Sequence, residues 1–292
     1  MWSRKALLAL SVSWWPLAAL AIDLAPLWDF ADPAASEQRM RAALATARGD
    51  DGLILKTQIA RSHGLRGDFD TARRLLHEIE TEAGHAGAEV RVRWQLELGR
   101  TWASATHAAT LLTPQALVQA RGRFERAHAL AREAGLDGLA IDALHMFAFI
   151  DKAPADQLRW GEAALALALA STQPEARRWE ASIRHNIGVA LHQLGRLDDA
   201  LGQFRRALAV RESGGSARSV QVARWMVAWT LRGLGRVDEA LQIQRALEQA
   251  AAAAGKPDPH VFKELEALYR LAGDEARAGH YRQLEAQVRG GP

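Results

Sequence analysis

Two stretches of this chain, forty residues apart, are nearly the same peptide. Leu194-Gly195-Arg196-Leu197-Asp198-Asp199-Ala200-Leu201 returns as Leu234-Gly235-Arg236-Val237-Asp238-Glu239-Ala240-Leu241. Fainter copies stand at Leu65-Arg66-Gly67-Asp68-Phe69-Asp70-Thr71-Ala72 and from Leu271-Ala272-Gly273-Asp274 to Ala278. In all four a Gly is followed five residues later by an Ala. A period of this size marks one supersecondary unit repeated along the chain, because a single unit cannot bury its apolar face alone. The Gly supplies the left-handed residue that ends the first helix of a unit. The Ala is small because the second helix crosses closely over the first.

The rest of the sequence favours helix throughout. Ala, Leu, Arg and Glu dominate while Pro and β-branched residues are scarce, and the former lose little rotamer freedom in a helix. Hydrophobic content of 49% and charge of 24% indicate neither disorder nor a membrane-embedded chain. Asp32-Pro33, Thr113-Pro114 and Asp258-Pro259 each set a capping residue before a proline at the first helical position. Gly135, Gly214–Gly215 and Gly255 sit where long helices should stop. These signals predict a lead or capping helix within 22–49, at about 33–48. Six helix pairs then follow within 50–288, near 52–80, 88–134, 138–171, 175–211, 217–254 and 259–288, with a short tail at 289–292.

The segments resemble the tetratricopeptide repeat. Residues 181–214 carry Gly188, Leu191, Ala200, Phe204 and Ala207 at that family's signature spacings, and Trp102, Ala120, Phe124 and Ala127 form a second match, interrupted by an inserted loop around Thr106–Thr113. The resemblance implies an all-α, right-handed superhelical solenoid of about six antiparallel helix pairs, whose first helices line a concave surface. It implies a fold and no single function. Three positions depart from the pattern: Arg184 and Arg224 stand where the family prefers a bulky apolar residue, and Gln244 replaces an expected aromatic. Some family members clamp a C-terminal carboxylate with Asn and Lys. With Asn186 the only Asn in the repeats and Lys rare, that clamp is not recognisable here.

In the repeat register the groove-facing positions are Arg61, Arg93 and Arg100, then Asp142 and Met146, then His185 and His192, and finally Trp225, Trp229 and Arg232. The expectation is a groove with a basic end and an aromatic end. Guanidinium forks suit carboxylates, and Trp faces suit apolar or cationic side chains. The partner expected is another protein or a peptide segment, with an acidic group as a possible anchor. A blander reading has the arginines solvated and Trp225 and Trp229, one turn apart, packed as a core stripe. Two further alternatives are a self-associating structural protein and a small-molecule receptor or enzyme using residues 142–192.

Other chemistries find little footing. With no cysteine, disulfides, thiolate metal sites and cysteine nucleophiles are excluded. The ten histidines include no i, i+4 pair and no His-Glu-x-x-His, so no metal and no cofactor is expected. Neither a phosphate-binding Gly loop nor Gly-x-Ser-x-Gly occurs. The paired acids Asp198–Asp199 and Asp238–Glu239 recur at the starts of second helices, which points to dipole complementation rather than acid–base catalysis. No Lys/Arg block tracks phosphates, so nucleic acid is not an expected partner.

The first 21 residues read as a signal peptide. Arg4 and Lys5 precede an uncharged, largely apolar run from Ala6 to Ala21 that closes on the small-x-small triplet Ala19-Leu20-Ala21. Export to the periplasm or beyond follows from that reading. A retained membrane anchor, or a cytoplasmic protein whose true start lies near residue 22, stay open beside it. Loss of Arg4 and Lys5 would leave 35 basic against 34 acidic residues, so the net charge of +3 says little about partners.

Overall fold

The computed structural model describes residues 22–290. The signal-peptide reading for 1–21 lies outside the described residues, as do the last two positions of the tail. Helix α1 (Pro33–Leu44) leads into α2 (Gly49–Leu65) and α3 (Phe69–Glu78), and after a break at Ile79 a short α4 (Glu80–His85) prolongs α3. Next come α5 (Ala88–Arg100) with α6 (Pro114–Glu133), and α7 (Asp137–Met146) with α8 (Pro154–Ala170). A single turn, α9 (Pro174–Arg177), precedes α10 (Glu180–Gln193) and α11 (Leu197–Gly214). The stack ends with α12 (Ala217–Gly233) and α13 (Val237–Ala253), then α14 (Pro259–Leu271) and α15 (Glu275–Arg289). The chain is an all-α superhelical solenoid of six helix pairs behind a lead helix. Among the described residues no helix is long and apolar enough to cross a membrane.

The repeated peptide explains how four of the six pairs turn. Gly67, Gly195, Gly235 and Gly273 have φ of 79, 73, 74 and 77°, left-handed backbone that suits Gly alone. In each turn the amide after the Gly reaches the carbonyl five residues back, as Arg196 does to Leu191 and Arg236 to Leu231, both at 2.9 Å. Ala72, Ala200, Ala240 and Ala278 are all within 1% of full burial, where α3, α11, α13 and α15 press on their partners. Arg196 and Arg236 stand at the N-cap and bond to Asp199 at 2.9 Å and Glu239 at 2.6 Å, so these acids hold the turn's arginine as well as the helix end. Asp32, Thr113 and Asp258 cap α1, α6 and α14 through their side chains, each with the following proline at the first helical position.

A second close contact sits mid-helix. A Cβ on Gly99 would lie 2.4 Å from the Phe124 ring, and one on Gly188 would lie 2.6 Å from Phe204. Both rings are fully buried. In the next pair, forty residues on from Gly188 and Phe204, the same two places hold Ala228 and Gln244, again fully buried. The missing aromatic is thereby explained: once Ala occupies the glycine position, a ring no longer fits against it. Neither amide atom of Gln244 has a hydrogen-bond partner among the described residues. A buried unsatisfied amide costs about 1–3 kcal/mol, so Gln244→Leu should stabilise the protein by that order. Urea denaturation reads the gain, and an unchanged midpoint would mean that water satisfies the amide.

The other departures resolve differently. Arg184 is buried at 9% exposure but satisfied, with Nε on Glu180 at 2.8 Å and Nη1 on Gln203 at 3.0 Å. Arg224 is exposed and pairs with Glu212 at 2.8 Å. The inserted stretch between α5 and α6 folds back over the end of α2. Thr106 Oγ1 donates to the Gly64 carbonyl at 3.0 Å, and His107 stacks on Phe69 with ring centres 3.7 Å apart.

Candidate binding recess on the inner face

The first helices of successive pairs line the inner face of a solenoid. Here α2, α5 and α7 bring Arg61, Glu97, Arg100, Asp142, His145 and Met146 to one cavity of about 190 Å³. Phe149 and Trp179 form an aromatic wall, and Ser104–Thr106 of the inserted loop close one flank. Arg100 is the hub. It donates to Glu97 Oε1 and to Asp142 Oδ1, both at 2.5 Å. Glu97 and Asp142 are only 3% and 7% exposed, so each buried carboxylate takes its hydrogen bond from that guanidinium rather than from water.

The electrostatics follow from burial and pairing. Burial opposes ionisation of Asp142, but Arg100 and Arg61 outweigh it and hold the carboxyl below its ordinary range. Burial likewise opposes the charge on Arg100, and Asp142 and Glu97 more than offset it. His145 is pushed down, first by burial, and its Nδ1 lies 3.3 Å from the Asn186 amide. It sits against Phe149 and Trp179, each 5.5 Å away between ring centres, as a neutral packing group.

Arg61 differs from Arg100. Burial and the neighbouring Arg100 lower its pKa, and its nearest carboxylate oxygen, on Glu97, is 3.7 Å away, beyond hydrogen-bond range. Its guanidinium makes no hydrogen bond among the described residues, and Nε is buried without a partner. The ring centres of Trp28 and Phe30 lie 5.6 Å from its central carbon and the rings stack on each other at 4.8 Å, so the cation also rests against two aromatic faces. The recess therefore holds two arginines and two carboxylates, with one guanidinium still free to donate.

The expected basic end needs correcting on this geometry. Arg93 is tied to Glu89 at 2.8 Å and belongs to a neighbouring recess that shares Asp142 and Trp179 as walls. Arg100 is spent on its two acids. Asp142 and Met146 are buried wall residues rather than open groove positions. At the aromatic end the expected residues are partly packed. Trp229 stacks on His192 at 3.5 Å and on Trp225 at 6.1 Å, and both tryptophans pack against the core. Arg232 forms a two-pronged bond to Glu264 at 2.8 and 3.0 Å. His185 and Trp225 line a separate cleft of about 750 Å³ between α12, α13 and α14. The ten expected positions thus divide between two ends of the solenoid.

Sequence reasoning missed several contributors. Glu97 is visible only as an acid three residues before Arg100, a spacing that is common on solvated helices. Phe149 lies between α7 and α8 and Trp179 at the bend between α9 and α10, both outside the expected positions. Trp28 and Phe30 precede α1 and reach Arg61 only through the fold. Among the described residues, no three His, Cys, Asp or Glu side chains are grouped to hold a metal ion.

Comparison with known proteins bears on the fold. Residues 181–213 match the family model described as tetratricopeptide repeat. No curated protein matches the chain in sequence. Among solved structures, the apo form of RapI is similar at a TM-score of 0.65 and 11% identity, over 87% of this chain and 70% of that one. A signal transduction ATPase with a tetratricopeptide repeat sensor, from Pyrococcus horikoshii, is similar at 0.66 and 11%, over 87% of this chain but 39% of its own. A Rap protein complexed with Competence and Sporulation Factor is similar at 0.52 and 13%, over 88% and 72%. At such identities the likeness is one of fold.

Proposed function

We propose that this chain, a protein of tetratricopeptide repeats, is a non-enzymatic scaffold that holds another protein or a peptide segment on its inner face. The observation that carries the reading is Arg61, a largely buried cation without a hydrogen-bond acceptor at the mouth of an aromatic-walled recess. Desolvated donors gain most from a charged acceptor, so the favoured anchor is an acidic side chain or a terminal carboxylate. Phe149, Trp179 and Met146 then receive an apolar neighbour of that acid. A cavity of about 190 Å³ takes a side chain or two, not a folded domain. The rest of the segment lies along the solenoid. The Rap protein of similar fold, solved with Competence and Sporulation Factor bound, supports a use of such a stack as a holder.

Selection of a random peptide library on the immobilised protein tests the reading. Peptides with an acid beside an apolar residue should be enriched. Arg61→Met keeps the stem and removes the donors, a loss of about 1.5–3 kcal/mol for a charged hydrogen bond, and should weaken selected peptides about tenfold or more. Enrichment without acids, or equal affinity for Arg61→Met, would reject Arg61 as the anchor.

A further inference from the structure

We infer that the Ala21–Ile22 peptide bond is a processing site, and that the ammonium released on Ile22 docks on Asp51 as a fixed ion pair. The argument begins with where Ile22 sits. Its side chain, with that of Leu24, packs where two apolar clusters meet, one around Ile54, Leu76 and Trp94 and the other around Met40, Leu55 and Ile59. Its backbone nitrogen is 3.2 Å from Asp51 Oδ1. The position is held further along by Trp28, whose Nε1 donates to Gln58 at 3.3 Å.

Asp51 is a half-buried carboxylate in the first turn of α2, and Ile22 N is its one hydrogen-bond donor among the described residues. Its neighbour Asp50 is already engaged, accepting from Gly87 N at 3.0 Å. No Arg, Lys or His forms an ion pair with Asp51 among the described residues. A half-buried carboxylate with no cationic partner gains more from a charged donor than from a neutral amide, and the atom placed to bear that charge is Ile22 N. The triplet Ala19-Leu20-Ala21 directly before it is what a leader-removing peptidase accepts.

The chemistry is hydrolysis. Water adds across the Ala21–Ile22 amide and the C–N bond breaks; the water oxygen stays on the acyl carbon as the Ala21 carboxylate, and both water protons go to the nitrogen, which becomes an ammonium. One amide donor to Asp51 becomes a charged one, so removal of the leader also locks the first turn of the solenoid against α2.

Two measurements test this. Intact mass of the full chain expressed with its leader in an exporting bacterial host should match a start at Ile22; a start at Met1 or elsewhere overturns the processing site. Chains beginning at Ile22 and at Ala21, each freed from a cleavable fusion, are then melted alongside Asp51→Asn versions of both. The Ile22 chain should melt about 2–4 °C higher than the Ala21 chain, the shift that about 1 kcal/mol gives a domain of this order. Asp51→Asn should abolish that difference. Equal melting of the two chains, or a difference that survives Asp51→Asn, overturns the docking.

Discussion

Asp142→Ala should lower the stability of the protein by about 3–5 kcal/mol, the range found when one partner of a buried ion pair is removed. The substitution strips Arg100 of one of its two acceptors and leaves two guanidiniums, Arg61 and Arg100, facing Glu97 alone. Replacing the pair together, as Arg100→Met with Asp142→Leu, removes both desolvated charges and should recover most of the loss. Urea denaturation of the three proteins distinguishes the cases, and a single-mutant cost below about 1 kcal/mol would place the network in the class of solvated surface pairs. Acid adds a second reading. Because the folded carboxyl lies below its ordinary value of 3.8, its contribution is complete above that value and is lost as the pH falls towards the folded one. Asp142→Ala should therefore lose less stability than the parent between pH 5 and pH 3, a window taken as roughly one unit either side of the ordinary value.

Phe204→Ala should cost a similar amount, about 3–5 kcal/mol, because it empties a fully buried ring site at the centre of one repeat. Gly188→Ala should cost about 1–3 kcal/mol by overpacking, since its Cβ would stand 2.6 Å from that ring. The double substitution is the informative one. With the ring gone, the added methyl meets open space, so the two costs should fall short of additivity by about 1–3 kcal/mol. Chemical denaturation of the four proteins in the cycle gives that coupling directly. Additive costs would mean that the Phe204 ring swings away from the added methyl without loss. The protein already contains a relative of the double variant, for Ala228 and Gln244 occupy the same two places one repeat later.

Those two pairs show how far a linear reading reaches. The turn is wholly local: Gly195 takes φ of 73° and Gly235 takes 74° because a helix has to end and return within three residues. Its signature stands in four of the six pairs, so the repeat and the helical character of the chain are legible without coordinates. The capping prolines are equally local. The candidate site is not. Arg61, Arg93, Arg100 and Arg232 look alike in the repeat register, and each was expected to face a ligand. Three of them meet carboxylates, namely Glu89, Glu97 with Asp142, and Glu264, of which the register marks only Asp142. Trp225 and Trp229 are readable as groove or as core stripe, and the fold divides them: Trp229 stacks on His192, while Trp225 also lines a cleft.

By itself, then, the sequence determined an all-α stack of six helix pairs and where four of those pairs turn. Periodicity, glycine conformation and capping act over a few residues, so one repeat is enough to express them. Only the tertiary structure decided that Arg61 keeps its donors free while Arg100 does not, that Trp28 and Phe30 meet Arg61, and that Phe149 and Trp179 wall one recess. The physical reason is distance along the chain. Charge pairing, desolvation and aromatic stacking depend on through-space neighbours, and Arg100 finds Asp142 forty-two residues away.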